Sequence, residues 1–183
     1  MRTLALSDEI LMKVDKAARY IGGEVNSVMK DKNDVDIRFA MCFPDVYEIG
    51  MSNLGMMILY NMFNEREDVW CERVFSPWMD LDKIMREEHI PLFALESQEP
   101  VKEFDFLGIT LGYEMCYTNV LQVLDLSHVS LLAKDRKEDD PSSSAAVHVH
   151  IIRNRSQNFL ICFILARVRL SMMLCLMHIR QTR

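Results

Sequence analysis

FPDVYEIGMSNLG, Phe43 to Gly55, decides the fold, because an apolar strand hands over there to a helix through a loop of small and polar residues. Upstream, Val35, Ile37, Phe39, Met41 and Phe43 alternate with Asp36, Arg38, Ala40 and Cys42, the period-two pattern of a strand whose second face turns apolar toward its end. Pro44, with no N–H to give, ends the ladder. Downstream, Met51, Leu54, Ile58 and Met62 fall three and four apart, with Met57 beside them, and predict a helix from Met51 to Asn64. In an open α/β sheet, ligands bind in the crevice outside the carboxyl ends of the strands, and Gly50 and Gly55 would let backbone pass close to one.

Working outward, Val69 to Phe75 reads as a second strand, and Asp80 opens a helix carrying Leu81, Ile84 and Met85. Pro91 to Leu95 reads as a short third strand and Phe106 to Gly112 as a fourth. A helix comes next, with Tyr113, Cys116, Tyr117, Val120, Leu121 and Leu124 on one broad face. Strands alternating with helices predict an α/β fold with a doubly wound parallel sheet. Residues 35 to 130 should then bring Asp45, Tyr47, Gly50, Ser52 and Thr110 to one carboxyl-end crevice, with Gly112 ending the fourth strand and Asn119 in the helix after it. A hydroxyl and a glycine that simply end a strand account for Thr110 and Gly112 equally well.

Asp45, Tyr47 and Gly50 form D-x-Y-x-x-G, one residue away from the D-x-H-x-x-G loop of cobalamin-binding domains. Together with RYIGGEVNSV (Arg19 to Val28), RVFSPWMDL (Arg73 to Leu81), PLFALES (Pro91 to Ser97) and LGITLGYEMCYTNVLQVLDL (Leu107 to Leu126), the segment resembles the N-terminal domain of a family of large radical S-adenosylmethionine (SAM) proteins with a cobalamin-binding-like domain. The resemblance runs from about Ile10 to Pro141. It implies a flavodoxin-like, cobalamin-binding-like fold, incomplete at its C-terminal end. The domains would be an N-terminal helical extension over 1–34, the α/β domain over 35–141 and a tail over 142–183.

The resemblance further implies cobalamin as a candidate cofactor, contacted by Asp45, Tyr47, Gly50, Met51, Ser52, Asn53, Thr110 and Gly112. It implies a four-iron four-sulfur cluster and SAM only on a following radical SAM domain, which would be the partner of this one. Tyr47 departs from the pattern where chemistry is at stake. A loop His would give an imidazole nitrogen to cobalt while the Asp holds its other nitrogen, whereas a phenol with a pKa near 10 is a poor neutral ligand. The other reading is that Asp45 and Tyr47 cap the helix and pack the loop.

The 183 residues suffice for one core of ordinary size. The start MRTLALSDEI lacks the basic and apolar runs of a signal peptide, and Ser7 to Glu9 look like a helix start, so a cytoplasmic domain is expected. Cys42, Cys71, Cys116, Cys162 and Cys175 share no short spacing, so neither a metal site nor catalytic residues are expected on this chain. Neither nucleic acid nor a membrane is expected as a partner. The runs NEREDVWCER (Asn64 to Arg73) and KDRKEDD (Lys134 to Asp140) read as solvated mixed charge. Arg19, Tyr20, Gly22 and Gly23 read either as a simple turn or as a surface packed against the rest of a longer protein. The fourteen methionines read as adaptable core packing.

Residues 142–183 contain no Asp, Glu, Gly or Pro, yet hold six arginines. Taking those from the total of 21 basic residues leaves 15 against 27 acidic ones, a balance of −12 before the tail and +6 within it. Eight apolar residues from Phe159 to Ala166 are too few to span a bilayer that needs about twenty. A basic amphipathic membrane-surface segment is one account of the tail, given its arginines among Leu, Met and Ile; a disordered nucleic-acid arm is another, for which a half-apolar tail is a poor candidate. Codons can, however, be chosen so that a one-nucleotide shift reads VIGGGPCTYNPEPIAEFFDMFYIGEGE and then VVDDVVLDAYQADA. That text has a Gly-rich turn, a helix and a strand in the acidic style of the first part, and it resembles the family's own continuation beyond this point. A frameshift is therefore expected. It makes His148 and His150 an accident of reading frame, puts Ala145, Ala146 and Val147 where a Gly triplet would stand, and leaves the tail with at most a helix of local propensity.

Two classes of function remain in play. One is the cobalamin-binding-like domain of a radical SAM enzyme, inactive by itself for want of the cluster domain. The other is an α/β scaffold or docking module that binds no cofactor.

Overall fold

The computed structural model describes residues 4–132, 135, 140–147 and 162–165. Strands β1 (Ile37–Phe43), β2 (Val69–Phe75), β3 (Phe106–Leu111), β4 (Ser142–Val147) and β5 (Cys162–Leu165) form one sheet in the order β2-β1-β3-β4-β5, every neighbouring pair parallel. This is the order of flavodoxin-like sheets. The apolar alternation of β1 is divided between two faces. Phe39, Met41 and Phe43 join Val69, Cys71 and Phe106 under α4 (Leu54–Asn64), through Met56, Tyr60 and Phe63. Ala40, Cys42, Val74, Leu107 and Ile109 face α5 (Met79–Glu88) and α6 (Tyr117–Leu126), with Ile10 of α1 (Asp8–Leu11) and Tyr20 of α2 (Ala18–Ile21) at the margin.

Three expectations are corrected. The helix predicted over 51–64 is two: α3 (Tyr47–Met51) stops at Ser52, and Asn53 caps α4 by accepting from the Met56 N–H at 2.9 Å. Pro91 to Leu95 is not a strand of the sheet; it holds one isolated antiparallel bridge, Phe93 to Pro100, and lies along the outer edge of β2. There Leu95 N–H donates to the Arg73 carbonyl at 2.8 Å and Ser97 N–H to Glu72 Oε2 at 2.8 Å. The described parts of the tail are strands, not the helix that local propensity allowed: β4 pairs with β3 from Phe106↔Ser142 to Leu111↔Val147, and β5 pairs with β4. The pair His148 and His150 lies outside the described residues. Among the described residues no helix is long and apolar enough to cross a membrane.

The segment after α2 straps the domain. Gly22 and Gly23, at φ 57° and 83°, turn the chain where a side chain would be strained. Beyond them, Val28 N–H donates to the Tyr60 hydroxyl at 2.7 Å and Trp70 Nε1 to the Val28 carbonyl at 3.0 Å. Lys30 Nζ caps carbonyls of Asn64, Arg66 and Val69 at 3.1, 2.5 and 2.6 Å.

Candidate functional site

The strand order reverses between β1 and β3, and the crevice outside their carboxyl ends is the place such sheets reserve for ligands. Here the loops around it are joined by the protein's own bonds. Asp45 follows Pro44; its Oδ1 accepts from the Val46 N–H at 2.8 Å and its Oδ2 from the Tyr113 hydroxyl at 2.7 Å. The bond to Asp45 raises the Tyr113 pKa, since losing the proton would set two anions against each other. Asn119 Nδ2 donates to the Pro44 carbonyl at 2.8 Å, and Ser76 N–H to the Asp45 carbonyl at 3.0 Å. The loops after β1, β2 and β3 are thus tied together.

Tyr47 turns away from that crevice. Its hydroxyl donates to Glu24 Oε1 at 2.9 Å and its ring meets Phe75 edge-on at 5.5 Å. Burial, then the Glu24 carboxylate, push its pKa up to about 12. Glu24 also accepts from Arg73 Nη2 at 2.9 Å, while Arg73 Nε donates to Glu96 Oε1 at 2.6 Å and Nη1 to the Met51 sulfur at 3.1 Å. The guanidinium lies 4.9 Å from the Tyr60 ring centre. Gly50 is buried, and a Cβ there would stand 2.2 Å from the Phe75 ring. Its missing side chain makes room for Phe75, so Gly50 gives no backbone approach to a ligand.

The other candidate residues divide similarly. Ser52 Oγ donates to the Ile49 carbonyl at 2.7 Å and closes α3; Asn53 opens α4; Gly55 stands beside the Asn53 cap. Thr110 is half-buried in β3, in register with Ala146 of β4. Gly112 is exposed, with open space where a side chain would be. Asp45, Thr110 and Gly112 therefore belong to the β1/β3 crevice, whereas Tyr47, Gly50 and Met51 pack toward β2 and the strap.

The charge run ending at Arg73 needs correction. Glu65 and Glu67 are solvated, but Glu72 and Arg73 are buried inside β2. Glu72 accepts from Arg38 at 2.6 Å, and Arg38 also pairs with Glu99 while lying between the rings of Trp70 and Phe104. Burial raises the pKa of both Glu72 and Glu96, against the pull of their arginines. Glu24, Arg73 and Glu96 were missed as a group by sequence reasoning; the one local signal was a Glu-Arg pair inside an otherwise apolar strand, VWCERVF. Arg19, Tyr20, Arg73, Phe75 and Leu81 are among the residues lining a cavity of about 20 Å³, room for a single water. Among the described residues no three His, Cys, Asp or Glu side chains are grouped to hold a metal ion, and Cys42, Cys71 and Cys116 are buried free thiols.

Compared with known proteins, the chain matches the family model described as "Radical SAM proteins, N-terminal" over residues 55–160, more than half its length. The match begins inside the first turn of α4, after the Asp45 loop, and crosses Pro141. No curated protein matches it.

Proposed function

From the premise that this chain belongs to the N-terminal family of radical SAM proteins, we propose that it is the non-catalytic α/β module of such a protein and that its carboxyl-edge loop ligates no cobalt. The hydrogen bond from Tyr47 to Glu24 carries this reading. The position that would hold the cobalt-ligating His in a cobalamin-binding loop is a protonated phenol, tied to a carboxylate that is itself paired with Arg73. Asp45 has likewise given its second oxygen to Tyr113 in place of an imidazole. These residues do not fit a lower cobalt ligand. Cluster and SAM chemistry are assigned to a domain beyond this module, whose cysteines lack the close spacing a cluster needs.

A second reading keeps the corrinoid without a ligand from the loop. The flavodoxin-like strand order and the open space at Gly112 favour it. Titrating the protein with cobalamin and following its visible spectrum separates the two: no shift and no retention on gel filtration is expected, and stoichiometric binding abolished by Gly112→Phe would replace the first reading with the second. Anaerobic reconstitution with iron and sulfide should give neither a stoichiometric cluster nor reductant-dependent 5′-deoxyadenosine; either product would sink the non-catalytic assignment.

The frameshift belongs to the same proposal. The switch from −12 to +6 at Pro141 and the uninterrupted alternative text support it. In the shifted frame residues 162 to 165 read Met-Phe-Tyr-Ile, a strand-like run in the place of β5. Resequencing the locus across the Pro141 codon tests this directly. The 183-residue chain should aggregate through exposed apolar surface, while a version restored through GEGE should be monomeric and unfold cooperatively. A monomeric 183-residue chain with a protease-resistant tail would defeat the frameshift reading.

A further inference from the structure

Arg73 is held by two carboxylates of different kinds. Glu96, whose side chain is 0% exposed, takes the guanidinium Nε at 2.6 Å and the Arg73 backbone N–H at 2.7 Å, and so is built into the β2 edge. Glu24 is 23% exposed and comes from the strap. Its two oxygens are divided, Oε2 accepting from Arg73 Nη2 at 2.9 Å and Oε1 from the Tyr47 hydroxyl at 2.9 Å. A guanidinium and a phenol that each donate to one oxygen recognise the carboxylate group as such. Neither donor depends on Glu24 for its position: Arg73 is fixed by Glu96, the Met51 sulfur and the Tyr60 ring, and Tyr47 by the Phe75 ring.

The segment that carries Glu24 is irregular. Residues 22–36, between α2 and β1, hold neither helix nor strand; loops beyond about 12–15 residues without structure of their own are uncommon in compact domains and usually act as lids or binding loops. Glu24 heads a small turn within it, closed by the Ser27 N–H and Oγ, which donate to the Glu24 carbonyl at 3.0 and 2.7 Å. Gly22 and Gly23, with their positive φ, precede the turn, and the attachments through Val28 and Lys30 follow it. Val25 is fully exposed. Among the described residues, the Glu24 carboxylate is what bonds this turn to β2 and α3.

We propose that Arg73 and Tyr47 form a binding site for a small free carboxylate, an acetate-like monoanion, that Glu24 fills this site from within the chain, and that such a ligand displaces the Glu24 turn about Gly22 and Gly23. The inference does not depend on the cobalt or cluster assignments above. Charge selects the ligand. Glu96 stays on Arg73, and the Glu48 carboxylate bears on the Tyr47 phenol, so a dianion meets two standing negative charges, whereas a monoanion restores only the charge that Glu24 removes. A carboxylate on a short tether competes at an effective concentration on the order of millimolar, and a free one must match that to displace it.

The test is urea unfolding of Glu24→Ala, which empties the site, in sodium acetate against sodium chloride and sodium sulfate of equal ionic strength, each referred to wild type in the same salt. The substitution should lower the midpoint, and about 100 mM acetate should recover about half of the loss or more by mass action, while chloride and sulfate recover little. Adding Tyr47→Phe should weaken the acetate effect about tenfold or more, the worth of one hydrogen bond to a charged group. Recovery in chloride equal to that in acetate overturns the site, as does an acetate effect indifferent to the phenol; better recovery in sulfate overturns the ligand class. Wild type supplies a measurement that needs no substitution. Its amides over 22–29 should exchange about threefold or more faster in about 0.5 M acetate than in chloride, and equal exchange overturns the displacement even where Glu24→Ala does not fold.

Discussion

The outer edge of β2 and the carboxyl edge of β1 and β3 handle polarity in opposite ways. At β2, four charged side chains are buried, Arg38, Glu72, Arg73 and Glu96, each held by a partner of opposite sign. At the carboxyl edge, Asp45 and Tyr113 satisfy one another near the surface, and apolar side chains face water instead. The ligand-like motif therefore sits where its polar groups are occupied by neighbours, and the chemically demanding cluster sits where sequence suggested a solvated run. A charge taken out of water is fixed in place by the energy lost when its partner goes; a half-exposed pair can be broken and rehydrated.

That contrast is open to measurement by urea unfolding. Glu96→Ala removes the main partner of Arg73 and leaves a buried guanidinium sharing Glu24 alone, so a loss of about 3 kcal/mol or more is expected. A loss under about 1 kcal/mol would erase the distinction between the two edges. Gly50→Ala drives a methyl group into the Phe75 ring and should destabilise by about 1–3 kcal/mol; a neutral result would reopen Gly50 as a ligand-facing position. Tyr47→Phe loses one partly buried hydrogen bond, about 1 kcal/mol.

The Tyr47 substitution also has a pH signature. A phenol whose folded pKa is raised from 10.0 to about 12 gives stability that is present below pH 10 and lost as pH climbs toward 12. The wild-type fall across that window should be shallower in Tyr47→Phe, and identical slopes would show that burial and Glu24 do not hold the phenol protonated in the fold. Smallest of all, Tyr113→Phe breaks a pair on a side chain 42% exposed and should shift stability by about 0.5 kcal/mol or less. A larger loss would place the β1/β3 crevice in the same class as the β2 edge.

What was legible in the sequence was what a short window contains. The alternation in 35–43 and the apolar runs at 69–75 and 106–111 marked the strands, because burial on one or both faces writes a local period. The break at Ser52 and Asn53 was hidden because α3 and α4 present apolar residues at spacings that continue across it, although Asn53 was a cap in plain view. Pro91 to Leu95 imitated a strand because an extended segment buried against an edge needs the same apolar composition as one within a ladder. The charge cluster was beyond reach, since Arg73 finds its partners 49 residues before it at Glu24 and 23 after it at Glu96. The Asp45 loop was located correctly at the end of β1, but the bond to Tyr113 joins residues 68 apart.

The segment from Leu92 to Ser97 has a consequence for assembly. By occupying the free side of β2 it blunts that border against further strands, so among the described residues the sheet has a finished side and, at β5, a side still able to accept strands. Synthesis runs in the same direction: β1, β2, the blunting segment and β3 are all made before β4 and β5. A nascent chain can thus seal its first border while the second is still being translated.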